Sequence, residues 1–320
     1  MSLIEKLYTL IIFLSVMLGL ITGQAELIRT HAAVLIVPLL TAMLYITFLQ
    51  IPIEEIKSAF KNLRFTYTSV IINFIWTPVF AWFLASLFLG DNQALYIGFI
   101  MLMVTPCTDW YLVFTGIARG NVALSTAVLP LNFVLQVILL PVYLLVFGGA
   151  SGVMELDFLI ESILLVLVLP FLLASLTKAF FRNRQKAREN LLNRLSALPI
   201  LFLGLAIAAM FASHGQLLLE NLELMGQITI PILVFFVINF IISQKVGQLM
   251  HFPYGDRASL SLTTLARNSP IALAIAMTAF PDQPLIALTL VIGPLLELPI
   301  LAVITQLLLV RSKNAKSTHP

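Results

Sequence analysis

The sequence predicts an all-α integral membrane protein of ten transmembrane helices, two of them broken near the middle of the bilayer. Three observations carry that prediction. First, 60 % of the residues are hydrophobic and only 10 % charged, with a mean hydropathy of +1.03, whereas soluble domains carry roughly 25 % charged residues. Second, the apolar residues fall into ten runs of about 20 residues, the length that spans a bilayer core as a helix. Third, the stretch from Thr105 to Ala123 interrupts one of these runs with Pro106, Cys107, Thr108 and Asp109 before apolar helix resumes to Ile117. Proline removes a backbone donor and clashes with the preceding turn, so the helix must break or kink there. Open backbone and an ionisable side chain at membrane depth are tolerated where they line a cavity or pack inside protein. Broken helices with polar groups at the break are a common way for secondary transporters to build a substrate site.

The ten spans read as 6–23, 32–51, 66–89, 94–117, 121–147, 157–181, 196–214, 225–247, 257–280 and 284–310. Connections are short except Pro52–Arg64 and Phe181–Arg194, and the polar tail from Arg311 to Pro320 is expected to be disordered. The first run follows Lys6 without a small-residue cleavage site, so it reads as a span and not as a removed signal. With the N-terminus inside, the inner segments collect 16 of the 18 basic residues, including Lys57, Lys61, Arg64, Arg182, Arg184, Lys186, Arg188 and Arg194. The outer segments hold only Arg29 beside Glu26, Asp91, Glu155, Asp157, Glu220, Glu223 and Asp282. That bias obeys the positive-inside rule and sets both termini in the cytoplasm of a cell whose inner (plasma) membrane holds the protein. It also explains the basic balance as topology, leaving no need for a nucleic-acid partner.

Five spans per half is an odd number, so residues 1–150 and 151–310 would insert with opposite orientation, as inverted repeats do. Faint internal correspondences agree. Pro106 and Pro270 are 164 apart, as are Pro130 and Pro294, and Ile72-Asn73-Phe74-Ile75 recurs as Ile238-Asn239-Phe240-Ile241. These offsets put breaks in spans four and nine, the equivalent spans of the two halves.

The polar residues at the breaks are the candidates for chemistry. A helix fragment starting near Thr108 presents free N–H groups and a positive dipole end to an anion or electron-rich ligand. Cys107 there is either a nucleophilic contact for substrate or a small packing residue. Thr108 can cap the fragment. Asp109 and Arg267 stand three residues after Pro106 and three before Pro270. If the broken spans cross, the two can pair, structurally or at the substrate. Glu297, between Pro294 and Pro299, is the deepest acid of the second half, and nothing in lipid compensates its desolvation. It reads as the proton-carrying group, with Asp109 as a second. Asn73, Asn132, Asn239 and Asn268 either line the polar cavity or bond helices together. One cysteine excludes an intrachain disulfide and a cysteine-only metal cage, and the ten methionines show no metal-ligand spacing. No metal or cofactor is expected.

Pro106-Cys107-Thr108, followed by a half-span and Ala118-Arg119-Gly120-Asn121, resembles span four of the bile acid/sodium symporter superfamily. The Pro-Cys-Thr version, with Gly293-Pro294-Leu295-Leu296-Glu297-Leu298-Pro299, is similar to the arsenite-efflux permeases within it. The resemblance covers essentially the whole chain. It implies ten spans in two inverted five-helix repeats, arranged as panel and core domains with helices four and nine crossing. It also implies functional roles for Cys107 and Glu297, the two residues that the local chemistry singles out. The chain departs from sodium-coupled members at Tyr111-Leu112, where they carry Ser-Asn, and at Thr263, where they carry a glutamate before Gln-Asn-Ser, here Arg267-Asn268-Ser269. It departs from the arsenite permeases in Asp109-Trp110 and in Arg267.

The expected function is therefore secondary transport, not enzymatic catalysis: proton-coupled efflux of arsenite or a related small oxyanion. Cys107, Thr108, Asp109, Asn132, Arg267 and Asn268 are the expected substrate contacts, and Glu297 and Asp109 the proton carriers. The alternative is a proton- or sodium-coupled transporter of a small organic anion whose carboxylate pairs with Arg267.

Overall fold

The computed structural model describes residues 3–51, 57, 60–108, 111–148, 156–181, 185–220 and 222–317. Among these residues the secondary structure is helical, with one isolated β-bridge between Pro106 and Arg267. The first part of the chain runs α1 (Leu3–Thr22), α2 (Glu26–His31), α3 (Ala33–Gln50), α4 (Leu63–Ile71), α5 (Thr77–Phe88), α6 (Gln93–Met103), α7 (Tyr111–Ile117) and α8 (Val122–Tyr143). The second runs α9 (Leu156–Ile163), α10 (Leu169–Phe180), α11 (Gln185–Leu195), α12 (Leu198–Glu220), α13 (Leu222–Leu249), α14 (Tyr254–Leu265), α15 (Ser269–Ala279) and α16 (Pro284–Ser317). Single π-helical turns at Ile72–Trp76 and Leu164–Val168 join α4 to α5 and α9 to α10, and a third, Leu144–Gly148, extends α8.

Seven described helices, counting those joined through π-helical turns as one, are long and apolar enough to cross a bilayer. Three shorter apolar helices accompany them: Leu10–Thr22 within α1, α6, and α15. The protein is a multi-pass membrane protein. Its apolar residues face outward in numbers, among them Phe13, Leu14, Ile21, Val79, Phe83, Leu172, Leu173, Val237 and Val303. Many polar side chains are held inside, away from lipid. Ser69, Asn73, Thr105, Thr263, Arg267 and Glu297 are all buried.

The helices associate as two groups. One comprises α1, α3, α10 and α12; the other gathers α4 to α8 with α13, α14, α15 and α16, and α15 touches α3 between them. The first group is held by small residues. A Cβ on Gly19 would stand 2.4 Å from the Ala208 carbonyl, and one on Gly23 2.4 Å from that of Ala212. Only glycine lets α1 approach α12 so closely. In the second group Gly98 lies against Thr289 and Gly293 against Leu102. This seats α16 on α6 and brings Glu297, one helical turn beyond Gly293, to the level where α6 ends.

Prolines free carbonyls four residues earlier, and the fold supplies each of two with a hydroxyl. Pro78 leaves the Phe74 carbonyl without an intrahelical donor, and the Tyr143 hydroxyl donates to it at 2.6 Å. Pro294 does the same to Leu290, whose carbonyl accepts from Ser269 Oγ.

Some elements differ from expectation. The short α2 and the amphipathic α11 form where connections were expected. Helix α11 carries charged residues at Lys186, Arg188, Glu189 and Arg194 interleaved with Leu191, Leu192 and Leu195, a pattern too polar to register as a span. Helix α16 continues to Ser317, through most of the tail expected to be disordered. Lys313, Ala315 and Lys316 are good helix formers, and no proline intervenes before Pro320.

Candidate functional site

The site is built where two helices stop. Helix α6 ends at Met103, and Thr105 folds its hydroxyl back onto the Met101 and Leu102 carbonyls at 3.0 and 3.1 Å. Helix α14 ends at Leu265, with Ala266 in extended conformation. The backbone of each break then finds its partner in the other. Cys107 N–H donates to the Ala266 carbonyl at 2.9 Å, and Asn268 N–H donates to the Thr105 carbonyl at 2.6 Å. This is a two-residue antiparallel bridge deep inside a helical protein. It meets the requirement that buried backbone groups be paired, which neither break could meet alone. The helices then restart. Asn268 Oδ1 accepts from Ile271 N–H at 3.3 Å to cap α15, whose first turn carries Pro270. The Asn268 amide also donates to Thr108 Oγ1 at 3.0 Å, so Thr108 and Asn268 tie the two restarts together.

Glu297 is 1 % exposed, and its Oε1 accepts the Arg267 backbone N–H at 2.9 Å. The thiol-bearing residue and the acid are therefore attached to the two ends of one peptide group, Ala266–Arg267: Cys107 through its carbonyl and Glu297 through its N–H. Cys107 is buried at the wall of a cavity of about 30 Å³, which also touches Met43, Leu44 and Thr47 of α3, Pro199 of α12, and Thr108 and Asn268. That volume is enough to admit a water-sized molecule. A second cavity of about 260 Å³ shares Thr47 and Thr108 with the first and continues past Gln50, Ile51, Leu112 and Thr126.

The Arg267 side chain is 0 % exposed and borders neither cavity. Its Nε donates to the Leu265 carbonyl at 3.1 Å and its Nη1 to the Met103 carbonyl at 2.8 Å. Its Nη2 donates to Asn73 Oδ1 at 3.1 Å and to the Thr264 carbonyl. The Phe235 ring lies 5.5 Å from its Cζ, at a distance where a cation and a ring attract. Asn73 completes its set by donating to the Thr263 carbonyl at 3.4 Å. Arg267 is also close enough to Glu297 and Cys107 to interact with both electrostatically.

The expected site residues thus fall into groups. Cys107, Thr108 and Asn268 meet at the cavity, while Arg267 and Glu297 stand behind it, bound to the same break. Asp109, and with it the Asp109–Arg267 pair, lies outside the described residues. Asn132 is elsewhere on α8, 0 % exposed, and neither carboxamide atom has a hydrogen-bond partner. Gln136, one turn on, shares that condition and was not singled out in the sequence, although its spacing of four from Asn132 was visible there. Thr47 and Gln50 were also missed. They sit within an apolar run, where lone polar residues carry no signal until the wall opposite them is known. The turn Ala118-Arg119-Gly120-Asn121 docks the second half of the broken span. Arg119 takes a left-handed φ of 56°, Asn121 caps α8 by accepting from Leu124 N–H at 3.2 Å, and its amide donates to Asp256 Oδ1 at 2.9 Å.

Residues 37–221 match the model of the Sodium Bile acid symporter family, more than half of the chain. The chain belongs to that family. Its members are transporters, and nothing in the family or in the names of the relatives indicates an enzyme. Among the relatives, the arsenical-resistance protein Acr3 of Corynebacterium glutamicum is 25 % identical over 82 % of this chain and 74 % of its own length. Acr3 of Alkaliphilus metalliredigens is 20 % identical over 95 % of this chain and 91 % of its own. An uncharacterised transporter of Synechocystis is 23 % identical over 96 % of this chain and 88 % of its own. The similarity to these relatives runs over 82–96 % of this chain.

Proposed function

We propose that this family member exports arsenite, or a closely related small oxyanion, in exchange for protons. Cys107, Thr108 and Asn268 contact the substrate, and Glu297 carries the proton. One observation carries the reading: a cysteine at a cavity wall, through its backbone N–H, and a buried carboxyl are hydrogen-bonded to opposite ends of one peptide group in the same helix break. Trivalent arsenic is a soft centre, and thiolate sulfur is the soft ligand that proteins offer. A single thiol makes a contact that exchanges, which suits transport better than sequestration. Two relatives bearing the name arsenical-resistance protein support the same substrate class.

Coupling follows from the Glu297 hydrogen bond. An ionised carboxylate accepts the Arg267 N–H strongly; a protonated one accepts it roughly half as strongly. The proton on Glu297 therefore loosens the very peptide, Ala266–Arg267, whose carbonyl holds Cys107, and the affinity of the thiol site changes with it. Asp109 is the second acid on this proton route. Asn132, with an unpartnered carboxamide, takes a polar substrate once the crossing has moved.

In this reading each broken segment is one crossing, and the chain has ten spans in two inverted halves with both termini cytoplasmic. In that orientation the cavity past Gln50 and Ile51 opens inward, the state in which an exporter loads. The organic-anion reading requires Arg267 to meet a substrate carboxylate, and so to give up its bonds to Met103, Thr264, Leu265 and Asn73. Those bonds count against it. Transport by everted membrane vesicles separates the two. With an acid interior, wild-type vesicles should concentrate arsenite and lose it when a protonophore is added. Gradient-driven uptake of small carboxylates without arsenite flux would overturn the arsenite assignment.

A further inference from the structure

The surroundings of Arg267 are those of a bound cation. Four oxygens converge on the guanidinium: the carbonyls of Met103, Thr264 and Leu265, and Oδ1 of Asn73. Three of them belong to the last turns of α6 and α14, so two helix C-termini direct their negative dipole ends at the same point. The Phe235 ring closes one side, and the carboxyl of Glu297 is near enough to act on the guanidinium electrostatically. Without positive charge there, the two helix ends would face each other with unsatisfied carbonyls in a dry interior, a costly arrangement. Carbonyl and amide oxygens at helix breaks are also the donor type that hard monovalent metal ions select.

We infer that Arg267 is a tethered cation: its guanidinium occupies, as part of the chain, a site whose oxygen ligands would otherwise hold an inorganic monovalent cation. The crossing is consequently assembled without sodium or potassium, and taking the guanidinium away turns the protein into one whose folding depends on a soluble cation. Arg267 acts by positioning the breaks, one of which carries Cys107 and the other of which binds Glu297; it is not a substrate contact. This inference stands apart from the arsenite reading, since it concerns assembly of the crossing and holds for any substrate.

The test is thermal unfolding of the purified full chain in detergent, at constant ionic strength, in choline, sodium or potassium chloride, with and without low millimolar methylguanidinium. The wild-type midpoint should be the same in all media. Arg267→Ala should melt several degrees lower in choline and recover a large part of that loss with methylguanidinium, which has no effect on wild type at the same concentration. Arg267→Gln, which adds a carbonyl ligand and removes the charge, should gain a saturable stabilisation by sodium or potassium. Arg267→Lys keeps the charge and should show none, and this pair decides the matter if the alanine variant does not fold. The inference is overturned if wild type itself requires sodium or potassium. It is equally overturned if Arg267→Gln is indifferent to every cation, or if Arg267→Lys responds to sodium as Arg267→Gln does.

Discussion

Glu297→Gln should abolish proton-driven arsenite transport while preserving exchange of labelled for unlabelled arsenite across the same membrane. Glutamine retains an oxygen at the position that accepts the Arg267 N–H at 2.9 Å, so the break keeps its shape. It cannot take up or release a proton, so it resembles the protonated carboxyl held permanently in place. Net transport requires the proton to come and go; exchange requires only that substrate be bound and released on both sides. Removing a positioned proton-transfer group typically costs a factor of about 10²–10⁴ in rate, and a loss of that order is expected for net transport. Exchange should stay within a few-fold of wild type. If net and exchange transport fall together, Glu297 is needed for the structure of the crossing and not for coupling.

The second large effect is expected at Cys107. Replacement by serine keeps the volume and a polar atom but exchanges a soft sulfur for a hard oxygen, which trivalent arsenic binds far less well. Half-saturation for arsenite should rise at least tenfold, equivalent to a lost contact of about 1.4 kcal/mol or more. The thermal midpoint should change little, because the backbone N–H of residue 107 still reaches the Ala266 carbonyl. Cys107→Ala serves as the control for packing and should lose arsenite affinity equally. Unchanged arsenite transport in both variants would remove the thiol from the site and move attention to the anion chemistry of the helix restarts.

How much of this was legible in the sequence depends on whether the physics is local. Pro106 and Pro270 announced the breaks because a proline disrupts its own helix wherever it lies. Glu297 announced itself because a carboxyl between two prolines in an apolar span has no structural use in lipid. The ligands of Arg267 were not legible. Three of them are backbone carbonyls, and every residue has one, so only the crossing of α6 and α14 in space selects Met103, Thr264 and Leu265. For the same reason the sequence left Arg267 open as a partner for Asp109 or for substrate. The π-helical turns at Ile72–Trp76 and Leu164–Val168 had no signature beyond the prolines that follow them. Cavity-facing Thr47 was hidden because a threonine in a span can satisfy its hydroxyl on its own helix, as Thr47 does on the Met43 carbonyl at 2.9 Å. The α1–α12 contact was hidden because Gly19 and Gly23 gain meaning only against Ala208 and Ala212.

Coupling of arsenite to protons is tested most directly in proteoliposomes that hold a pH-sensitive dye, with the purified protein as the only transporter and no sodium present. Arsenite added outside at neutral pH is the uncharged hydroxide, whose leakage through lipid moves no protons. With wild type, its addition should make the lumen alkaline as protons leave in exchange, and Glu297→Gln liposomes should give no signal. Arsenite that enters wild-type liposomes with no change in lumenal pH, or with a change that Glu297→Gln reproduces, would contradict the exchange mechanism at its centre.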